Sequence, residues 1–197
     1  MHSDPDHDDA RVRILDAAER LFYARGIQAV GMDELRTAAG VSLKRLYRCF
    51  PAKQDLVEAY LRRRDTRWRA ALAEYVDAHA DGPAARPLAV FDWLHDWFTE
   101  PGFRGCAFIN SYGELGAASD AVGRTAREHK RALRTYLSGL VRDALPAGQA
   151  QPEQIGGQLA LLVDGAITTA ALTGEPGAAR QARSAAASLL AAVGPAE

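Results

Sequence analysis

Within positions 44–48 stand Lys44, Arg45, Tyr47 and Arg48, three cations and a phenol. A guanidinium fits the paired acceptors of guanine in a major groove, and lysine or tyrosine can serve bases or phosphates. Advancing about 100° per residue around a helix puts Leu43, Leu46 and Phe50 on one arc. Lys44, Tyr47 and Arg48 fall opposite, with Arg45 flanking them. One face is then free to pack and the other to meet a duplex. Ser42 precedes the stretch as a suitable N-cap. Lys53 opens the next helix, where its ammonium would join the backbone N–H groups in gripping a phosphate. The competing interpretation is a solvated charged face with no partner.

Charge along the chain supports a polyanion partner. The 197 residues carry 24 Lys+Arg and 25 Asp+Glu, a net charge of −1 that is unevenly spread. Residues 1–10 hold four acids and no base, and residues 11–69 hold 14 bases against seven acids. The remainder holds 10 bases against 14 acids. A basic N-terminal third joined to a mildly acidic remainder suggests a nucleic-acid-binding unit attached to a second function.

Other reactive residue types are scattered. His95 and Asp96 fall on the polar side of a helix whose opposite arc carries Val90, Phe91, Trp93, Leu94, Trp97 and Phe98. That aromatic arc is either plain core or the lining of an apolar effector site. His129 lies on the apolar stripe of a later helix, as a satisfied core histidine or as a group that orients a polar ligand atom with Asn110 or Tyr112. Cys106 and Asn110 are one helical turn apart. Two cysteines, Cys49 and Cys106, make no disulfide framework and suit a reducing cytosol. The first nine residues, with His2 and His7 among four Asp, read as a disordered acidic tail, and no metal or cofactor is implied. No phosphate loop and no well-spaced nucleophile–base pair is evident. An all-helical enzyme acting on an apolar or aromatic small molecule stands as the alternative function, and a ligand-binding partner without DNA affinity as a third.

The elements that must position these side chains are helices throughout. Ile14, Ala18, Leu21 and Phe22 repeat at helical spacing up to Gly26, a second helix spans 32–39, and Ser42 starts a third that runs to about Cys49. Pro51 ends it. A long connecting helix follows over 53–79, with Trp68 in its apolar stripe, and Asp81-Gly82-Pro83 breaks the pattern. Further helices are expected at 88–98, 106–115, 120–145, 153–172 and 178–193. The expected domains are 10–55 for DNA and 56–197 for ligand binding and dimerisation. No apolar run reaches the ~18 residues of a membrane span. The helix at 153–172 is apolar on two sides, through Leu159, Leu162, Val163 and Ala166 and through Leu161, Gly165 and Leu172. With Ala182, Ala186 and Leu189 of the last helix, the first of these faces is expected to form an intermolecular four-helix bundle. Asp164, between the two faces, should need a hydrogen-bond partner.

At these residues the sequence resembles the TetR family of transcriptional regulators. The stretch from Ile14 to Phe22 followed by Gly26 looks like the family's first helix. The set Met32-x-x-Leu35, Ala39-Gly40-Val41-Ser42, Leu46-Tyr47, Phe50 and Lys53-x-x-Leu56 is similar to its DNA-binding signature. Gly105-Cys106-Ala107-Phe108-Ile109-Asn110 and the helix around Asp164 look like the ligand domain of one broad branch. Departures occur at Gly31, Lys44, Arg45 and Cys49, so no relative's operator carries over. The resemblance implies an all-helical cytoplasmic homodimer with an N-terminal helix-turn-helix. It further implies a repressor that leaves a pseudo-palindromic double-stranded operator when a small effector binds the C-terminal helices, without any membrane partner.

Overall fold

A computed structural model describes residues 5–145 and 151–193, and among them every regular element is helical. The order is α1 (Pro5–Arg25), α2 (Met32–Ala39), α3 (Leu43–Cys49), α4 (Lys53–His79), a 3₁₀ turn (Pro83–Ala85), α5 (Arg86–Thr99), α6 (Ala107–Leu115), α7 (Asp120–Ala144), α8 (Pro152–Thr173) and α9 (Gly177–Ala191). Local chemistry sets the ends. Gly40, left-handed at φ 64°, closes α2, and the Ser42 hydroxyl caps α3. The Asp55 carboxylate accepts the Ala52 N–H at 2.9 Å and caps α4.

The N-terminus differs from expectation. Residues 1–4 of the expected tail lie outside the described residues, but α1 already begins at Pro5. Proline suits a first helical turn, and Asp9 pairs with Arg13 one turn on at 3.1 Å.

Two compact units divide the chain, and neither is a single stretch of it. The first comprises 1–66 and 107–127; the second comprises 67–106 and 128–197.

In the first unit α1 packs against α2 and α3. Ile14, Ala18, Phe22, Leu35, Leu46, Phe50 and Tyr60 are buried there, and Phe22 meets Tyr60 edge-on with centroids 5.6 Å apart. At its rim Arg63 pairs with both Asp16 and Glu19, and the Arg64 guanidinium lies 3.9 Å over the Tyr23 ring.

The second unit is built on α5, α8 and α9, which pack against one another. Leu159, Val163, Ala166, Ala182 and Ala186 are buried inside this subunit, so the face expected to make the dimer is already covered by α5 and α9. Leu162 and Leu189 are half-buried. The opposite face of α8 is the uncovered one: Leu161 and Leu172 are 73% and 82% exposed, and Gly165 between them is exposed as well. This two-sided apolarity also makes α8 long and apolar enough to cross a membrane by length and composition, contrary to the sequence expectation. Here its inward face is consumed by helix packing.

α5 is covered on its polar side too. His95 Nδ1 lies 3.2 Å from the Pro176 carbonyl and Asp92 pairs with Arg183 of α9 at 2.8 Å, so His95 is half-buried rather than solvated.

α7 and α8 come very close at Gly156. A Cβ placed on Gly156 would sit 2.3 Å from Ser138 Oγ and 2.7 Å from the Ser138 backbone. Gly156→Ala must therefore push the helices apart, and a loss of about 1–3 kcal/mol in urea unfolding is expected.

Candidate nucleic-acid interface

α3 is seven residues long and cannot hold itself together in water. Its neighbours fix it. Leu46, Cys49 and Phe50 are buried, and the Arg11 guanidinium lies 4.4 Å over the Phe50 ring while donating to the Cys49 carbonyl at 3.2 Å. That arginine therefore satisfies a terminal carbonyl of α3 and covers its last aromatic residue. At the other end Ser42 Oγ accepts the Arg45 N–H at 3.2 Å. Leu43 departs from expectation: at the first position of α3 it is 43% exposed, and Cys49 takes a place in the buried underside instead.

With that underside fixed, Lys44, Tyr47 and Arg48 are exposed along one side and Arg45 is half-buried beside them. Ser42 is exposed at the start of the same row. Lys53 does not join them. Its ammonium donates to the Ile27 carbonyl at 2.6 Å and lies 5.9 Å from the Phe22 ring centroid. Burial lowers the Lys53 pKa, and the charge of Glu114 raises it in opposition. The side chain expected to grip a phosphate is thus spent on the turn between α1 and α2. Asp55 already occupies part of the positive end of α4.

The residues expected at an effector site separate into two groups. Phe91, Trp93, Trp97, Phe98, Cys106 and His129 belong to the second unit, whereas Asn110 and Tyr112 belong to the first and are exposed. His129 is buried against Trp68, with ring centroids 5.2 Å apart. Trp68 also meets Trp93 and Trp97 edge-on at 5.0 Å and 5.9 Å, and Phe103 extends the cluster against Trp97 and Phe98. The Trp68 indole Nε1–H is buried with no acceptor among the described residues. Cys106 is buried with Lys130 Nζ 3.7 Å from its sulfur, and the same ammonium pairs with Asp164, supplying the partner that carboxylate needs. A groove of about 900 Å³ runs along α7 and α8 in this unit, lined by Lys130, Arg134, Gln158, Leu161 and Asp164.

Family models match both parts of the chain. The model for bacterial regulatory proteins of the tetR family matches residues 14–60, and that of the tetracyclin repressor-like C-terminal domain matches residues 83–186, more than half of the chain. The chain belongs to the TetR family. A solved TetR-family regulator from Streptomyces coelicolor is 30% identical, with a TM-score of 0.85 over 95% of this chain and 97% of that one. The transcriptional activator FasR of Mycolicibacterium smegmatis is 28% identical over 149 residues, 68% of either chain. Two uncharacterized HTH-type regulators of Mycobacterium tuberculosis are 49% identical over 55 residues, which is 28% of this chain and 27% of theirs. The protein is a DNA-binding transcriptional regulator and not an enzyme.

In family terms α2, Gly40 and α3 form the helix-turn-helix. Sequence reasoning placed Trp68 in an apolar stripe but did not nominate it or Phe103 for the aromatic cluster; three tryptophans in one 197-residue chain were the available signal. Glu114 gave no local signal at all. Ser42→Ala removes the α3 cap and is expected to cost about 1 kcal/mol, read as a lower urea midpoint with unchanged slope.

Proposed function

We propose that the protein is a homodimeric repressor that binds a pseudo-palindromic operator and leaves it when a small effector binds. Each subunit would place Lys44, Arg45, Tyr47 and Arg48 in one major groove, with Ser42 at the edge of the contact. The observation that carries this reading is the row Lys44, Tyr47 and Arg48 exposed above a buried Leu46, Cys49 and Phe50. The two grooves lie about one helical turn apart, ~34–36 Å, or a multiple of it. Lys53 enters that contact only if it releases the Ile27 carbonyl.

Dimerisation supplies the second reading head. Its support is the uncovered face of α8, where Leu161, Gly165 and Leu172 share one side and a twofold mate would remove the two leucines from water. That mate would also cover part of the α7–α8 groove, which Leu161 lines.

The effector site is assigned to the rings of Trp68, Trp93, Trp97, Phe98 and Phe91 with His129. Its support is the buried Trp68 N–H that lacks an acceptor, a cost in free energy that a ligand acceptor would remove. The effector class is then an apolar or aromatic molecule with one hydrogen-bond acceptor. It acts only through different affinities for the operator-competent and incompetent subunit spacings. No metal or cofactor enters the scheme, and the protein works in the cytoplasm beside its DNA.

A salt-dependent gel shift on the promoter region beside its own gene tests the whole reading. Arg45→Ala and Arg48→Ala are each expected to relax base discrimination by about 1–3 kcal/mol; an unchanged sequence preference removes that residue from base reading. Transcript level after deletion of the gene separates repression from the activator role carried by FasR. Leu161→Arg is expected to yield monomers in sedimentation velocity, and an intact dimer would refute the α8 face.

A further inference from the structure

The turn that joins α1 to α2 is held from outside the helix-turn-helix. Glu114, in the last turn of α6, accepts the backbone N–H of Ile27 at 3.1 Å and of Gln28 at 2.9 Å. The Gln28 side-chain amide returns a bond to the Glu114 carbonyl at 2.8 Å. Lys53 donates to the Ile27 carbonyl at 2.6 Å. Three backbone groups of Ile27 and Gln28, within the 26–31 connection, are thereby bonded by side chains 26 and 86–87 positions away in sequence. Charged acceptors on backbone N–H groups make such bonds strong.

Two further observations single out this contact. Gly26 has φ 87°, and a Cβ there would lie 3.1–3.3 Å from the Glu114 carboxylate, so glycine both permits the turn and admits the acid. Half-open clefts flank the contact: one of about 230 Å³ borders Glu114, Gly26, Tyr60 and Asn110, and another of about 210 Å³ borders Ile27, Gln28, Lys53 and Leu115.

We infer that Glu114 is a positioning residue for operator recognition, a clamp from α6 that sets the angle of α2 and α3. It touches no DNA and acts through the Ile27–Gln28 turn.

The test uses the full-length protein, with the duplex upstream of its own gene and a scrambled duplex of equal length as probes. Glu114→Ala is expected to lose about tenfold or more in affinity for the upstream duplex, the scale of a typical coupling energy. Binding to the scrambled duplex, which depends on phosphate charge, is expected to change less than about twofold. Amide exchange at Ile27 and Gln28 should accelerate selectively. Tryptophan emission should be unchanged, because Trp68, Trp93 and Trp97 all lie in the second unit. A fall on both probes in equal proportion, or wild-type affinity for the upstream duplex alongside fast exchange at the turn, overturns the inference. If the alanine variant unfolds, Glu114→Gln takes its place. It keeps the volume but turns an N–H₂ toward one of the two donors, and it must still separate the two probes.

Discussion

Everything the reading surface does rests on Leu46 and Phe50 staying out of water. Burying two such side chains is worth about 1.5–3 kcal/mol each, more than a seven-residue helix can gain from its own backbone bonds. That burial fixes the rotation of α3 about its axis, and the rotation decides which side chains face outward. Arg11 completes the constraint, because one guanidinium covers the Phe50 ring and donates to the Cys49 carbonyl at the end of the helix. The cationic row is therefore a by-product of apolar packing.

The second unit solves a different problem with the same physics. α8 is apolar around most of its circumference, so one side goes to α5 and α9 and the other is left with Leu161 and Leu172 in solvent. Small residues let the inner contacts come close, and Gly156 against Ser138 is the tightest of them. Charge is handled inside the unit by local pairs, Lys130 with Asp164 and Arg183 with Asp92.

What could be read from the sequence was what is local. Gly26, Gly40, Ser42 and Pro51 punctuate the helices by backbone chemistry that needs no tertiary context, and the end of α2 and both ends of α3 follow from them. The outward row on α3 was legible for the same reason, since 100° per residue is a property of one helix. Choices between neighbours were not legible. Which apolar face of α8 would be covered depends on α5 and α9, and Lys53 turns inward to the Ile27 carbonyl, a partner 26 positions away. Trp68 joined His129 and Trp93 through packing among α4, α5 and α7, which no window of sequence displays. The helical start at Pro5 shows the reverse error, in which acidic composition was taken for absence of structure.

The chain passes from one compact unit to the other three times, after residues 66, 106 and 127. The unit that holds the helix-turn-helix therefore also includes residues 107–127. A fragment ending inside α4 would keep every residue of the helix-turn-helix yet lack Glu114, along with Ser119, which receives the Gln54 amide at 2.8 Å. Engineers grafting a new recognition helix onto a foreign sensor would have to carry α6 and the start of α7 with it. Descent by simple exchange of front halves is correspondingly difficult for such a chain.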